Sequence, residues 1–372
     1  MMEKELNNEE NKNSRDNFRD ISPEVKEKMK KNLVYVGIFS VAMVFAGLTS
    51  GYIVSMGDSF WVKFPLPSAF TISTLIIILS SVFIQLAISS SKKGKDKVSK
   101  IFVVLTFVFG LSFVYFQMKG YGQLLDKGSH FVGNIMTVEG RYGGAGEEGR
   151  YYGYYEVKYK DQFITLDGND YMINEKVLDK SQMEAFKSFM GQFDKVNLKK
   201  SLKIQNRIDE FELYYKQQPV SFENGSLLLP SGDKLKYVDL SRLQSLAINV
   251  QGERGDFFVK GKLGKDFHVY YKGKELEYKN REWYHKGQRL DDYLQIKPLE
   301  SPDTASSYLF LITFLHLLHI VGTLFYLGRM VMLSLSNRFI NNNTLSLKTG
   351  AIFWHFLGLL WIYLLLFLLF IH

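Results

Sequence analysis

The chain has 372 residues, 46% of them hydrophobic, with a formal net charge of +8 and no cysteine. The lack of cysteine excludes disulfides, zinc ribbons, iron–sulfur ligands, a thiolate copper centre and covalent haem attachment through C-x-x-C-H. The positive charge does not indicate nucleic-acid binding, because residues 135–303 hold 27 basic and 27 acidic side chains and the excess borders apolar segments.

The first 32 residues form a polar tail with eight basic and eight acidic side chains. They contain no apolar core of the kind a signal peptide needs. Their low hydrophobicity is typical of a solvated segment. We predict a cytoplasmic polar tail over 1–32.

Five stretches of 18 or more residues carry no charge. A helix of 18 residues is roughly 27 Å long, close to the thickness of a bilayer's hydrocarbon core, and only a helix satisfies its own backbone there. The sequence therefore predicts an all-α polytopic membrane protein with a five-helix bundle, three helices in 33–134 and two in 304–372. An inserted α+β, strand-rich extramembrane domain is predicted at 135–303. The uncharged stretches are 33–57, 64–91, 101–118, 304–328 and 349–372.

Basic residues flank three of the predicted membrane boundaries, and the positive-inside rule assigns that side to the cytoplasm. We therefore expect a multi-pass protein of a bacterial inner membrane with its N-terminus inside and its C-terminus and the 135–303 insert in the periplasm. In the first outer loop, 57–68, Phe60 and Trp61 are expected at the membrane interface. The flanking basic residues are Lys26, Lys28, Lys30, Lys31, Lys92, Lys93, Lys95, Lys97, Lys100, Arg329, Arg338 and Lys348.

Small residues recur on the first predicted helix. Ala42, Ala46 and Ser50 lie four residues apart, with Gly47 and Gly51 beside them. Small side chains at this spacing let membrane helices approach closely. The stripe predicts a contact within the bundle, and a dedicated dimerisation motif is the alternative.

The insert shows strand and helix patterns in turn. Residues 150–180 and 256–295 alternate aromatic or aliphatic with polar side chains, which predicts strands and hairpins and suggests two duplicated modules. Between them, Ser181 with Glu184 predicts a capping box that opens a helical segment over 181–216. The Gly-rich tract 141–153 lacks the context of a phosphate-binding loop, so we interpret it as a surface loop.

Titratable groups are scarce in the predicted spans, which contain no Asp or Glu. Proton pumps and ion-coupled transporters usually place carboxylates at membrane depth, so a transporter is disfavoured. His316 and His319 share a face of the fourth helix and His355 lies on the fifth. Three imidazoles could ligate haem or copper, but we favour a structural role because no carboxylate is available nearby to orient them.

The same helices carry motifs of a known family. T-F-L-H-L-L-H-I-V-G (313–322) resembles the T-G-F-H-G-L-H-V-x-G signature of haem–copper oxidase subunit III. W-H-F-L-G-L-L-W (354–361) is similar to that family's W-H-F-V-D-V-V-W. F-G-L-S-F-V-Y-F-Q-M-K-G-Y (109–121) and F-A-G-L-T-S-G-Y (45–52) resemble two further stretches, in the same order along the chain.

The resemblance implies a role as well as a fold. Family members are all-helical, non-catalytic subunits of a terminal oxidase that reduces oxygen to water and pumps protons. They bind no cofactor themselves, the haem and copper being held by subunits I and II, and they hold phospholipid in a cleft. The resemblance implies helix-packing or lipid-contact roles for His316, His319, Trp354, His355, Trp361, Gln117 and Arg329.

This chain departs from the family pattern in three ways. It has the equivalent of five helices where many members have seven. Val41 and Gly358 stand where the family commonly has a glutamate and an aspartate. Any proton-related part those carboxylates play elsewhere cannot be performed here in the same way. Arg329 lies about one turn before the position of a lipid-contacting arginine in some members.

Two other functions remain open from the sequence. One is a subunit-III-like accessory protein of nitric oxide reductase, which the motifs separate poorly from an oxidase subunit. The other is a membrane-anchored external binding or assembly module unrelated to respiration. For the insert itself we expect a protein contact, with subunit II, a neighbouring respiratory complex or an electron donor.

Overall fold

A computed structural model describes residues 23–137, 155–194, 210–223, 226–335 and 344–372. Arg338, the Gly-rich tract 141–153 and most of the predicted tail lie outside these ranges. The helices are α1 (Pro23–Met56), α2 (Ser68–Lys92), α3 (Asp96–Asp126), α4 (Lys180–Met190), α5 (Tyr237–Gln251), α6 (Asp292–Glu300), α7 (Thr304–Leu335) and α8 (Thr344–Phe370).

The strands are short, as is usual for hairpin-built sheets. They are β1 (Phe60–Lys63), β2 (Tyr155–Tyr159), β3 (Gln162–Phe163), β4 (Thr165–Asp167), β5 (Asp170–Ile173), β6 (Lys176–Val177), β7 (Phe211–Tyr215), β8 (Gln218–Pro219), β9 (Ser221–Glu223), β10 (Ser226–Leu228), β11 (His268–Tyr271), β12 (Lys274–Lys279), β13 (Glu282–His285) and β14 (Gln288–Arg289).

Helices α1, α2, α3, α7 and α8 are long and apolar enough to cross a membrane, as in a multi-pass membrane protein. The predicted five helices and the separate strand-rich region are thus confirmed at this level. The chain divides into two compact units. The helical unit comprises residues 1–51, 66–122 and 311–372, and the strand-rich unit comprises 52–65 and 123–310.

Hydrogen bonds between side chains and backbone tie the helices of the helical unit together. Ser80 Oγ donates to the carbonyl of Thr106 at 3.1 Å, and Ser99 Oγ donates to that of Ala87 at 2.9 Å, so α2 and α3 are joined twice. Such bonds contribute on the order of 1 kcal/mol each to the association of helices in a bilayer, where a polar group has no water with which to form a hydrogen bond. The bundle therefore combines apolar packing with a few directed contacts.

The small-residue stripe of α1 does not make the predicted contact within the described chain. Ala46, Gly47 and Ser50 are exposed, and a Cβ added at Gly47 would meet no described atom within 4 Å. Instead α1 packs through Phe45 and Thr49, which are buried. The prediction failed because small residues permit a close approach without fixing which neighbour makes it.

The strand-rich unit contains three copies of one module, where the sequence suggested two. Tyr159-Lys160, Tyr215-Lys216 and Tyr271-Lys272 recur every 56 residues, and each lysine begins a hairpin turn with φ of 48–49°. In each module two hairpins precede one helix, α4, α5 or α6. The equivalent apolar positions are Tyr155/Phe211/Phe267, Val157/Leu213/Val269, Ile164/Val220/Leu276 and Tyr171/Leu227/Trp283.

The first two modules pair with each other through their first strands. The sheet order is β3-β2-β7-β8, so the first strands of the two modules, β2 and β7, are neighbours and their second strands, β3 and β8, form the two edges. Val157 lies opposite its own equivalent, Leu213, at the centre of the antiparallel β2–β7 ladder. Phe186 of α4 and Leu243 of α5 enter one shared core beneath that ladder. Modules 1 and 2 therefore form a pseudo-twofold pair.

The third module pairs with a strand from far earlier in the chain. In the sheet β1-β11-β12-β13-β14, Val62 lies opposite Val269, the equivalent of Val157 and Leu213. Phe60 stacks on Tyr271 with ring centroids 4.6 Å apart. Phe60-x-Val62-x-Phe64 repeats the aromatic–x–aliphatic–x–aromatic pattern of the module strands, so the loop after α1 supplies a fourth copy of that strand.

One sequence prediction is corrected by this pairing. Phe60 and Trp61 were expected at the membrane interface, but each is only 1% exposed and lies inside the protein. The β1–β11 ladder also requires the loop after α1 and the insert to lie on one side of a membrane. An aromatic pair in a short loop does not reveal which surface will cover it, because the partner strand lies some 200 residues away.

The predicted helix over 181–216 begins within one residue of its predicted start, but its predicted C-terminal end and its predicted capping residues are wrong. The capping box is formed by Asp179 and Gln182, not Ser181 and Glu184, and the helix ends at Met190. Phe211–Tyr215 is strand β7, with alternating burial, and 195–209 lies outside the described residues. The Met and Phe stripe of this helix is core, as predicted.

Asn169 joins module 1 to the segment that leads into module 3. Its side-chain oxygen accepts from the backbone N–H groups of Gly255 and Phe257, and its amide donates to the carbonyls of Val259 and Gly261. A Cβ at Gly255 would lie 2.2 Å from the carbonyl oxygen of Gly168, so only glycine fits there. This junction holds the two halves of the strand-rich unit in contact.

Val62 is the position at which the strand pairing can be tested. We expect Val62→Asp to destabilise the strand-rich unit by about 3 kcal/mol or more, because a carboxylate would be buried against Val269 without a partner. Limited proteolysis and thermal unfolding of the purified chain measure this. Val62→Leu, which installs the residue found at the equivalent position 213, should leave both unchanged; equal effects of the two substitutions would contradict the assigned equivalence.

The start of α7 is tied to the segment after α3. Asp303 caps α7 by accepting the backbone N–H of Ser306 at 3.0 Å, and its own N–H donates to the carbonyl of Gly133 at 2.8 Å. Ser129 Oγ donates to Ser306 Oγ at 2.8 Å. The Asp303 side chain is buried, and this desolvation raises its pKa to about 6 although the bonds from Ser306 lower it.

The raised pKa predicts a pH dependence of stability. Because the folded state holds the proton more tightly than the unfolded state, the contribution of Asp303 is fully present below pH 3.8 and is lost as pH rises through 6. The loss should total about 3 kcal/mol. Thermal unfolding from pH 4 to 7 should show this slope for the native chain and a smaller one for Asp303→Asn; identical slopes would contradict the assignment.

Candidate functional site

His316 occupies the centre of a buried aromatic cluster in the helical unit. It is fully buried on α7, and its ring lies 5.3 Å from Trp361, 6.0 Å from Phe113 and 6.4 Å from Phe45, measured between centroids. Its Nε2 lies 3.0 Å from the carbonyl oxygen of Leu357. A carbonyl only accepts, so Nε2 carries the proton and Nδ1 is an acceptor, which has no hydrogen-bond partner among the described residues.

Two further motif residues are fixed by hydroxyl groups of α2. Trp361 donates its indole N–H to Thr74 Oγ1 at 2.8 Å, and Gln117 donates its amide to Ser73 Oγ at 2.9 Å. Thr74 and Ser73 in turn donate to the carbonyl of Phe70. The four helices α2, α3, α7 and α8 thus meet through directed contacts around one cluster. The sequence singled out Gln117 and Trp361 but not their hydroxyl partners.

The remaining motif residues lie outside this centre. His319 is half-buried, and its Nδ1 lies 2.7 Å from the carbonyl of Leu315 on its own helix. His355 is half-buried, and Arg329 is exposed near the end of α7. Trp354 is fully buried, and its indole N–H finds no partner among the described residues. Within the described chain no three His, Cys, Asp or Glu side chains are grouped closely enough to hold a metal ion.

Trp354 depends on a glycine for its place. A Cβ at Gly110 of α3 would lie 2.9 Å from the ring of Trp354 and 2.5 Å from the side chain of Leu324. Gly110 therefore lets α3 approach α7 and α8 at this level. In the sequence, Gly110 is part of the family-like stretch 109–121, but nothing there indicates which side chains it contacts.

A cleft opens between α1, α7 and α8 at the end of the bundle that carries the basic flanks. Its volume is about 830 Å³, and its walls are mostly apolar, including Leu33, Leu318 and Phe353. Lys30 stands at its rim and His319 in its inner wall.

Tyr326 forms one side of this cleft. Its hydroxyl donates to the carbonyl of Ser346 at 2.9 Å, which joins α7 to the start of α8. Gly350 makes room for the ring, since a Cβ there would lie 2.7 Å from it. Of the cleft residues the sequence predicted only His319 for a functional role, because residues from three separate helices carry no shared spacing.

Chemically, this cleft suits an amphiphile. An apolar channel of this size holds hydrocarbon chains, and the Lys30 ammonium at the rim attracts an anionic head group. The His316 cluster, by contrast, is buried and consists of aromatic rings in contact with one another. The shape of the cleft makes it a candidate binding site, whereas the His316 cluster packs the helices together.

No protein-family model matches the chain, and no curated protein matches it. The resemblance to subunit III therefore stands on the sequence motifs alone.

The close approach at Gly110 gives a test of the cluster's packing. We expect Gly110→Ala to destabilise the bundle by about 1–3 kcal/mol, because the added methyl overlaps Trp354 and Leu324. Gly47→Ala is the matched control, since Gly47 is also within a span and has no described atom in reach. Thermal unfolding in detergent should separate the two variants; equal midpoints would contradict the packing.

Proposed function

We propose that the chain is a non-catalytic subunit, similar to subunit III, of a bacterial haem–copper terminal oxidase. Its role is to stabilise the catalytic subunit and to bind phospholipid, with no active site of its own. Haem and copper are held by partner subunits I and II, and oxygen reduction and proton pumping occur there.

One observation carries this proposal. The motif residues Phe45, Phe113, His316 and Trp361 come from four different helices and from all four family-like stretches, yet their rings meet in one cluster. Random matches of short apolar strings would not be expected to converge in space. Each imidazole or indole hydrogen bond described there ends on another part of the bundle, which suits a structural role.

The cleft supports the lipid-binding part of the proposal. Its apolar walls, its opening beside Lys30 and its place between three helices match the requirements of a phospholipid. Following the positive-inside rule, we propose that this end lies in the cytoplasm and that the C-terminus and the 135–303 insert face the periplasm. We propose that the insert contacts other respiratory subunits or an electron donor from that side.

Co-purification tests the assignment. The tagged chain, solubilised mildly from native membranes, should bring down two further subunits together with haem absorbance and oxygen-consuming activity. The chain purified alone in harsher detergent should be colourless. Isolation of the chain without partners, or haem absorbance on the chain alone, would contradict the proposal. If the co-purified complex reduced nitric oxide in place of oxygen, the chain would instead be an accessory protein of nitric oxide reductase.

Filling the cleft should reduce bound lipid. Gly322 lines the cleft and has no described atom within 4 Å of an added Cβ, so Gly322→Leu introduces a side chain whose first carbon has room. Native mass spectrometry should then show less phospholipid per chain. Gly47→Leu, at an equally open glycine outside the cleft, should retain the native amount; equal lipid in both variants would exclude this cleft as the site.

A further inference from the structure

The segment between α3 and module 1 carries two apolar side chains that nothing in the described chain covers. Phe131 is 51% exposed and Val132 is 84% exposed. Among the described large hydrophobic side chains, five others are more than 70% exposed, and all five lie within the candidate spans: Leu33, Val54, Phe325, Met332 and Phe370. Val132 is thus as exposed as residues that a bilayer would cover, although it lies outside every span.

The backbone of this segment is held at a defined level. Ser307 Oγ donates to the carbonyl of Phe131 at 2.8 Å, and the N–H of Asp303 donates to the carbonyl of Gly133 at 2.8 Å. Ser307 lies in the first turn of α7, at the beginning of the uncharged stretch 304–328. Asp126, five residues before Phe131, ends α3. The Phe131–Val132 turn is therefore fixed where two spans meet their polar flanks.

That level corresponds to the interfacial layer of a bilayer. A span of uncharged residues begins where hydrocarbon replaces water, and the layer on either side of this boundary accepts apolar and aromatic side chains. If Val132 were exposed to water, its apolar surface would stay in contact with solvent, which is unfavourable. No comparable cost arises if the side chain meets lipid.

We propose that the Phe131–Val132 turn inserts its side chains into the interfacial layer of the bilayer, with lipid as its partner. The bonds from Asp303 and Ser307 make this a rigid contact, because the turn cannot withdraw without breaking them. This inference does not depend on the oxidase assignment.

The absence of cysteine makes a direct measurement straightforward. Val132→Cys is labelled with a nitroxide in the full chain, which is reconstituted into phosphatidylcholine and phosphatidylglycerol vesicles. Collision rates are measured by electron paramagnetic resonance with oxygen, which partitions into lipid, and with a neutral nickel chelate, which stays in water. Leu359→Cys, exposed on α8, gives the lipid reference, and Val177→Cys, exposed at the end of β6, gives the water reference.

We expect the ratio of oxygen to nickel collisions at position 132 to be severalfold above the ratio at position 177 and closer to the ratio at position 359. A ratio equal to that at 177 would overturn the proposal, because the turn would then lie in water. Low collision rates with both reagents would also overturn it, because a protein surface would then cover the turn. If Val132→Cys fails to insert, Phe131→Cys provides the same measurement on the adjacent side chain.

Discussion

An unpaired strand edge exposes a row of backbone N–H and C=O groups, and the strand-rich unit is organised around avoiding it. Each 56-residue module presents its first strand as such an edge. Modules 1 and 2 satisfy each other, with Val157 facing Leu213. An odd module remains, and its edge is closed by β1, whose Val62 faces Val269. The loop after α1 is thereby built into the fold of the insert.

Because β1 belongs to that sheet, the insert is more than a domain placed between two helices. Its third module needs a strand that lies between the first two candidate spans. Completion of this sheet therefore requires β1 and the insert to lie on the same side of the membrane. The hydrogen bonds of the Asn169 side chain connect the segment before this module to module 1.

In the helical unit the corresponding constraint is the satisfaction of buried polar groups in apolar surroundings. His316, Trp361 and Gln117 each use a backbone carbonyl or a hydroxyl of a neighbouring helix. These bonds have direction, so they specify how the helices are rotated, which apolar packing alone does weakly. The same packing of helices produces both the buried His316 cluster at the centre of the bundle and the open cleft between α1, α7 and α8.

The sequence by itself determined the five apolar helices, the polar insert and the motif residues, because hydrophobic length, charge and short motifs are local properties of the chain. It predicted hairpins at 150–180 and 256–295 but missed module 2, because the helical interpretation of 181–216 covers its first strand, β7. Only the tertiary structure decided the partner of β1, the exposure of the Gly47 stripe and the cleft beside Lys30. Each of these depends on which distant segments meet, and no local pattern records a pairing between residues 200 apart.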